Sequence, residues 1–461
     1  MANTLPRPLL LNAFDMACVG HINHGLWTHP RDQSTRYADL AHWTALAQTL
    51  ERGLFDGLFL ADIVGAYDVY QGRLDLTLRE SIQTPLLDPL LLVPAMAAVT
   101  RHLGFGVTVN LSYEAPYLLA RRLSTLDHLS GGRAGWNIVT GYLDSAARAM
   151  GLAQQEPHDA RYDRADEFMQ VCYGLWEGSW ADDAVRRDRG ARVYADPARV
   201  RPLVHQGARY RVQGVHLTEP SPQRTPVLYQ AGSSGRGLRF AAQHAECVFI
   251  SGQGPAAARA LVQTLRDEAE RAGRRRDDLR VFMGATVVVG ETDALAQARL
   301  QEYLHQANPE AGLAHFAAGT GIDFSRYELD EPIAPPDTGQ AQQSAVTAGL
   351  GGKAAPKPRT RRQLLADMAL GGRYNLIVGG PQTVADALVA SALGTGVDGF
   401  NLARTVVPEC VDDFVRWVVP ALQERGAYKT AYAEGTLRHK LFDAGPRLPA
   451  RHPAAAVRWS D

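Results

Sequence analysis

Polar side chains that follow short apolar runs are the first place to look for chemistry in this chain. His21 and His24 stand in a glycine-containing loop after the run Pro8–Phe14, and Asp62 follows GLFLA (57–61). Thr108 and Asn110 close LGFGVTVN (103–110), Asn137 and Thr140 lie in RAGWNIVT (133–140), and Ser233 and Ser234 come after VLYQA (227–231). The segment AGSSGRG (231–237) leads into a helical stretch, bringing small residues, two hydroxyls and a cation to a helix start. Free backbone N–H groups and the helix dipole there favour an anion such as a phosphate. A tight turn capped by serine is the other reading of the same residues. His158 and Tyr162 are four apart at a helix start and so share a face. They could meet one ligand or form an ordinary exposed first turn. Asp62, directly after a buried run, needs donors from backbone, water or ligand, because an unpaired buried carboxylate is costly.

Other chemistries lack their spacing. His21 and His24 are three apart in a loop, with no H-E-x-x-H and no clustered carboxylates, so no metal centre is expected. GSSG (232–235) is not a nucleophile elbow. Neither G-x-G-x-x-G nor a P-loop lysine accompanies the small residues.

These candidates share a position, at the carboxyl end of an apolar run. That is where the loops of a parallel α/β protein converge on one rim. The runs alternate with helical periodicity over Tyr37–Arg52, Pro89–His102, Pro116–Leu129 and Arg161–Trp176. About eight such strands predict a closed (β/α)8 TIM barrel rather than a doubly wound sheet. The expected organisation is a single domain over residues 1–461 with two insertions. One, at about 178–224, should carry a small hairpin or lid. The other, at about 309–362, reads as an irregular active-site flap or linker, since its segment 332–358 is rich in Pro, Gly, Ala and Gln. Arg274, Arg275 and Arg276, followed by Asp277 and Asp278, read as a solvated helix end, and the residues after Leu441 as a surface extension.

The chain of 461 residues is 46% hydrophobic and 21% charged, enough for a large core. Its 48 Lys and Arg nearly cancel its 49 Asp and Glu. No field of one sign is available to hold nucleic acid or an anionic membrane. Four scattered cysteines suggest reduced thiols. No apolar window of spanning length and no signal-peptide pattern occur, so the cytoplasm is the expected location.

Several long segments, in order, resemble the two-component, FMN-dependent monooxygenases of the bacterial-luciferase superfamily. They are similar to the group with nitrilotriacetate monooxygenase, dibenzothiophene-sulfone monooxygenase and the pristinamycin synthase large subunit. The segments are GLFDGLFLAD (53–62), AAVTRHLGFGVTVN (97–110), PYLLARRLSTLDHLSGGRAGWNIVTGY (116–142), HDARYDRADEF (158–168), PVLYQAGSSGRG (226–237), VGGPQTVADAL (378–388) and DGFNL (398–402).

The resemblance implies that Asp62, Thr108, His158, Tyr162 and Ser234, with Ser233 beside it, contact FMN. Similar proteins more often carry serine where this chain has Gly141. The implied reaction uses FMNH2, supplied by a separate NAD(P)H:flavin reductase, and O2. A flavin hydroperoxide then inserts one oxygen atom into a small organic substrate, with sulfur- and nitrogen-containing compounds as candidates. His21 and His24, the candidate catalytic residues, would line the substrate side with Trp27 and Tyr70. An F420-dependent hydride-transfer enzyme and a non-catalytic flavin-binding barrel are the alternatives. A homodimer or homotetramer is the expected assembly.

Overall fold

The computed structural model describes residues 5–232, 234–251, 254–333, 350, 358–372 and 374–460. Its apolar runs form nine parallel strands: β1 Leu10–Met16, β2 Gly57–Ala61, β3 Gly104–Asn110, β4 Ala134–Val139, β5 Val227–Gln230, β6 Cys247–Ile250, β7 Arg280–Val289, β8 Asn375–Gly379 and β9 Gly399–Ala403. They pair in the order β6-β5-β4-β3-β2-β1-β9-β7-β8, and a further pairing of β6 with β7 closes a ring of eight. This is the expected (β/α)8 barrel. β1, β3 and β7 are buried along their whole length, which is why they read as unbroken apolar runs rather than alternating ones. β7 is long enough to pair with β6 through residues 280–283 and then with β8 through residues 285–289.

Helices follow the strands on the outside, and their ends obey local chemistry. α1 (Leu40–Arg52) is capped by Asp39, whose side chain accepts from Ala41 N, and α3 (Pro116–Leu129) begins on a proline. Between them lies α2 (Val93–Ala98). The single helix expected over Pro89–His102 is instead a 3-10 turn at Pro89–Leu91 and this short helix. Pro94 supplies no N–H to the preceding turn, so one continuous helix cannot form. The later helices used below are α4 (His158–Gly178), α5 (Gly235–His244), α6 (Pro255–Arg271), α7 (Asp293–Gln306), α8 (Pro309–Thr320) and α9 (Pro381–Thr395).

Inside the ring, Leu10, Phe14, Phe59, Val227, Tyr229 and Phe282 belong to one buried cluster. The helix Leu437–Phe442 plugs the ring at its amino-terminal end: Leu437 and Leu441 join that cluster, and Arg280 Nε donates to Leu441 O at 2.9 Å. A Cβ on Gly104 would sit 2.4 Å from Leu437 Cδ1, so glycine at the base of β3 makes room for the plug.

Three expectations are corrected here. The residues after Leu441 are not a surface extension: Leu448, His452 and Ala454 are buried, and Arg447 Nη2 pairs with buried Glu177 at 2.6 Å. Arg274 is not solvated either; it is buried, and its two terminal nitrogens donate to the carbonyls of Ala242, Ala245 and Asp278, so backbone rather than water meets them. In the stretch read as irregular from 309, α8 is a helix begun by Asn308 and Pro309 and ended by Gly321 at φ 71°. Every residue from Ala311 to Thr320 is buried. A helix apolar on all sides has no amphipathic period to reveal it. Most of the Pro- and Gly-rich run at 332–358 lies outside the described residues. The 178–224 stretch forms two hairpins, Val185–Asp188 with Val193–Ala195 and Leu203–Gln206 with Arg211–Gly214.

Candidate active site

The carboxyl ends of the strands surround a cavity of about 240 Å3. It has two chemically different ends joined by a polar middle.

At one end, the turn after β5 enters α5. Ser234 caps the helix, its Oγ accepting from Gly237 N at 3.0 Å, and the same oxygen lies 3.2 Å from His158 Nε2. Tyr162, one turn along α4 from His158, is buried, and burial pushes its phenol up. A Cβ on Gly237 would come within 2.8 Å of Tyr162 Oη and 2.9 Å of Ser234 Oγ, and one on Gly232 within 2.9 Å of Tyr162 Oη. Side chains at 232 and 237 would therefore fill this hollow. Arg161 also lines the cavity, and Arg236 sits over the Tyr162 ring at 5.5 Å.

In the middle, Asn137 Nδ2 donates to Thr108 Oγ1 at 2.8 Å, which leaves the buried Asn137 Oδ1 without a partner. Asp62 faces the same space, and burial, with the charge of Asp88 nearby, raises its carboxyl to about 7. Gly141 has φ 69°, and a Cβ there would lie 2.5 Å from Asn110 Nδ2. In this chain a serine at 141 would be both strained and crowded.

At the far end, a hydrogen-bonded chain crosses several loops. Gln83 Nε2 is 3.1 Å from His21 Nδ1, Tyr67 Oη donates to Gln83 Oε1 at 2.6 Å, and Tyr67 Oη is 3.0 Å from Tyr142 Oη. The Tyr67 ring stacks on His315 at 5.2 Å, and His315 Nδ1 lies 3.0 Å from His24 Nε2. Burial lowers His24 to about 3, so its ring is neutral at ordinary pH.

Of the residues singled out from sequence, Asp62, Thr108, His158, Tyr162, Ser234 and His21 line the cavity. His24 stands behind His315, while Trp27 and Tyr70 are not among the lining residues. Ser233 lies outside the described residues. No described residue of the 178–224 hairpins lines the cavity, whereas α8 contributes His315. Sequence reasoning missed Tyr67, Gln83, Arg161, His315, Phe249 and Tyr374. For His315 a signal existed, a lone histidine in an apolar helix; for Gln83, held at φ 53° beyond the end of β2, none did. Among the described residues, no group of three or more His, Cys, Asp and Glu is placed to hold a metal ion.

The rim of this closed parallel barrel thus joins a serine-capped helix start to a buried, unpaired acceptor, Asn137 Oδ1. The luciferase-like monooxygenase family model matches residues 22–399, and the chain belongs to that family. Dimethyl-sulfide monooxygenase of Hyphomicrobium sulfonivorans is 49% identical over 455 residues, covering 98% of this chain and 94% of that protein. Long-chain alkane monooxygenase of Geobacillus thermodenitrificans (strain NG80-2) is 46% identical over 457 residues, covering 98% and 99%. A solved riboflavin lyase, holding a modified FMN and its substrate riboflavin, superposes with a TM-score of 0.92 at 37% identity, covering 98% and 100%. The chain is thus a flavin-dependent monooxygenase. Among the described residues, no helix is long and apolar enough to cross a membrane.

The residues fit a flavin mononucleotide. The hollow that a Cβ at 232 or 237 would fill suits a phosphate, and the unpartnered Asn137 Oδ1 is an acceptor for a ring N–H.

Proposed function

We propose that the chain is an FMNH2-dependent monooxygenase that places one atom of O2 into a small organic substrate and releases the other as water, with reduced FMN arriving from a separate NAD(P)H:flavin reductase and leaving oxidised after turnover. The observation that carries this reading is the continuity of the cavity, from the Ser234 cradle through Thr108 and Asn137 to a chamber of rings. Ser234, His158 and Tyr162 would hold the phosphate, and Asp62, Thr108 and Asn137 the ring system. When bound, reduced FMN supplies the electrons and the site of oxygen activation. The protein's own work is to fix the ring plane, keep water out and align the substrate. The apolar walls serve the second task. His21, tied through Gln83 to Tyr67, is the group best placed to hold or move a proton beside the substrate. The relatives named for dimethyl sulfide and for long-chain alkanes support a small, weakly polar substrate.

Anaerobic titration followed by turnover under 18O2 tests the proposal. Reduced FMN should bind, and one labelled atom should enter the product of a dialkyl sulfide or alkane. Failure to bind reduced FMN, or product lacking the label, overturns it. Binding of F420 in preference to FMN would do the same.

A further inference from the structure

The end of the cavity away from Ser234 is walled by aromatic rings. Phe14 and Phe249 have centroids 5.3 Å apart, Phe249 and Tyr374 5.7 Å, Phe14 and Tyr374 6.1 Å, and the edge of His21 meets Phe14 at 4.8 Å. Ile22 and Phe59 complete the wall. None of these six residues carries a carboxylate, ammonium or guanidinium group; among the described residues lining the cavity, those groups are Asp62 and Arg161 alone. A charged group entering here would shed its water and gain no counter-ion. An apolar molecule would gain contact with several ring faces and edges.

One residue of the barrel wall sets where the Tyr374 ring can lie. The Tyr374 ring lies on the backbone of Gly284 in β7: a Cβ at 284 would be 2.4 Å from its Cδ1 and 2.7 Å from its Cε1. The ring can occupy that position only because residue 284 has no side chain. Tyr374 leads into β8, whose Asn375 pairs with Ala285, so the backbone that delivers the ring is anchored to the strand on which it rests. Any side chain at 284 would push the ring into the chamber.

We infer that the ring-walled end takes an uncharged, apolar small molecule, and that Tyr374, seated on Gly284, is the specificity-determining residue that limits its length. The inference rests on the monooxygenase reading for treating that molecule as the substrate.

The experiment measures binding by the full-length protein, with and without oxidised FMN. The probes are dialkyl sulfides and n-alkanes of increasing length, read by headspace gas chromatography, and an alkylthioacetate anion and a trialkylsulfonium cation, read by equilibrium dialysis. Neutral probes should bind at least tenfold more tightly than either ion. The two neutral series distinguish a sulfur ligand from a hydrocarbon. Tyr374→Ala should raise the affinity of the longest probe about tenfold and move the length limit outward, the scale expected when a pocket gains room for a methylene or two. Gly284→Ala should move the limit inward; should that variant not fold, Tyr374→Trp is the inward-shifting substitute. Ions binding as well as neutral probes, or an unchanged length limit in Tyr374→Ala, would overturn the inference. Loss of FMN binding with neutral-probe selectivity intact would instead sink the flavin reading.

Discussion

The two ends of the cavity are built in opposite ways. The Ser234 end is made from two regular elements, the start of α5 and the first turns of α4, and its donors are a helix N-terminus, a hydroxyl, an imidazole and a phenol. The ring-walled end collects Phe14 and His21 near β1, Tyr67 and Gln83 beyond β2, Phe249 in β6, His315 in α8 and Tyr374 before β8. In the proposed reading the first would hold a ligand group of fixed shape and charge, which one short motif can satisfy. The second is shaped by packing between segments up to about 360 residues apart (Phe14 to Tyr374). Such a division lets one barrel keep its cofactor chemistry while substrates vary.

Four measurements would break or sharpen this contrast. The largest effect is expected from Gly237→Val, which fills the hollow against Tyr162 and Ser234. FMN affinity should fall about a hundredfold, the upper end of overpacking penalties, while neutral probes still bind at the other end; loss of both would mean the ends are not independent. Gln83→Leu should do the reverse. FMN titration stays normal, but kcat with a neutral substrate drops about a hundredfold as His21 and Tyr67 lose their shared partner. Tyr162→Phe or Ser234→Ala should weaken FMN about tenfold each, one hydrogen bond's worth; unchanged affinity in both would remove them from the site.

The last measurement reads stability rather than binding and concerns Asp62 in the polar middle. Its carboxyl is raised to about 7 by burial, so the folded protein holds a proton that the unfolded chain has lost above about 4. Asp62's contribution to stability should therefore fall as pH rises from about 4 to 7 and level off above it. Urea unfolding at pH 5 and pH 8 should show the parent protein losing stability relative to Asp62→Asn between the two values.

Much of the barrel was legible because strands buried on both faces read as continuous apolar runs, and because Pro116 announces a helix start; the helix expected from Tyr37 begins three residues later, at Leu40, because Asp39 caps α1 rather than lying inside it. The cradle was legible for the same local reason, since AGSSGRG carries its small residues and hydroxyls side by side. α8 was not, as a helix buried on every face has no period. The plug Leu437–Phe442 and the burial of Arg274 were not either, because both depend on partners far along the chain.

The sequence by itself determined the alternation of strand and helix, the rim position of the polar residues and the serine-capped start of α5. These follow from local periodicity, capping and the backbone's own donors. The tertiary structure alone decided that β6 meets β7 to close the ring, that Asn137 keeps a free acceptor beside Thr108, and that Gly284 seats Tyr374. Each is a contact between segments that no spacing along the chain encodes, because it exists only once the barrel has brought them within a few ångströms.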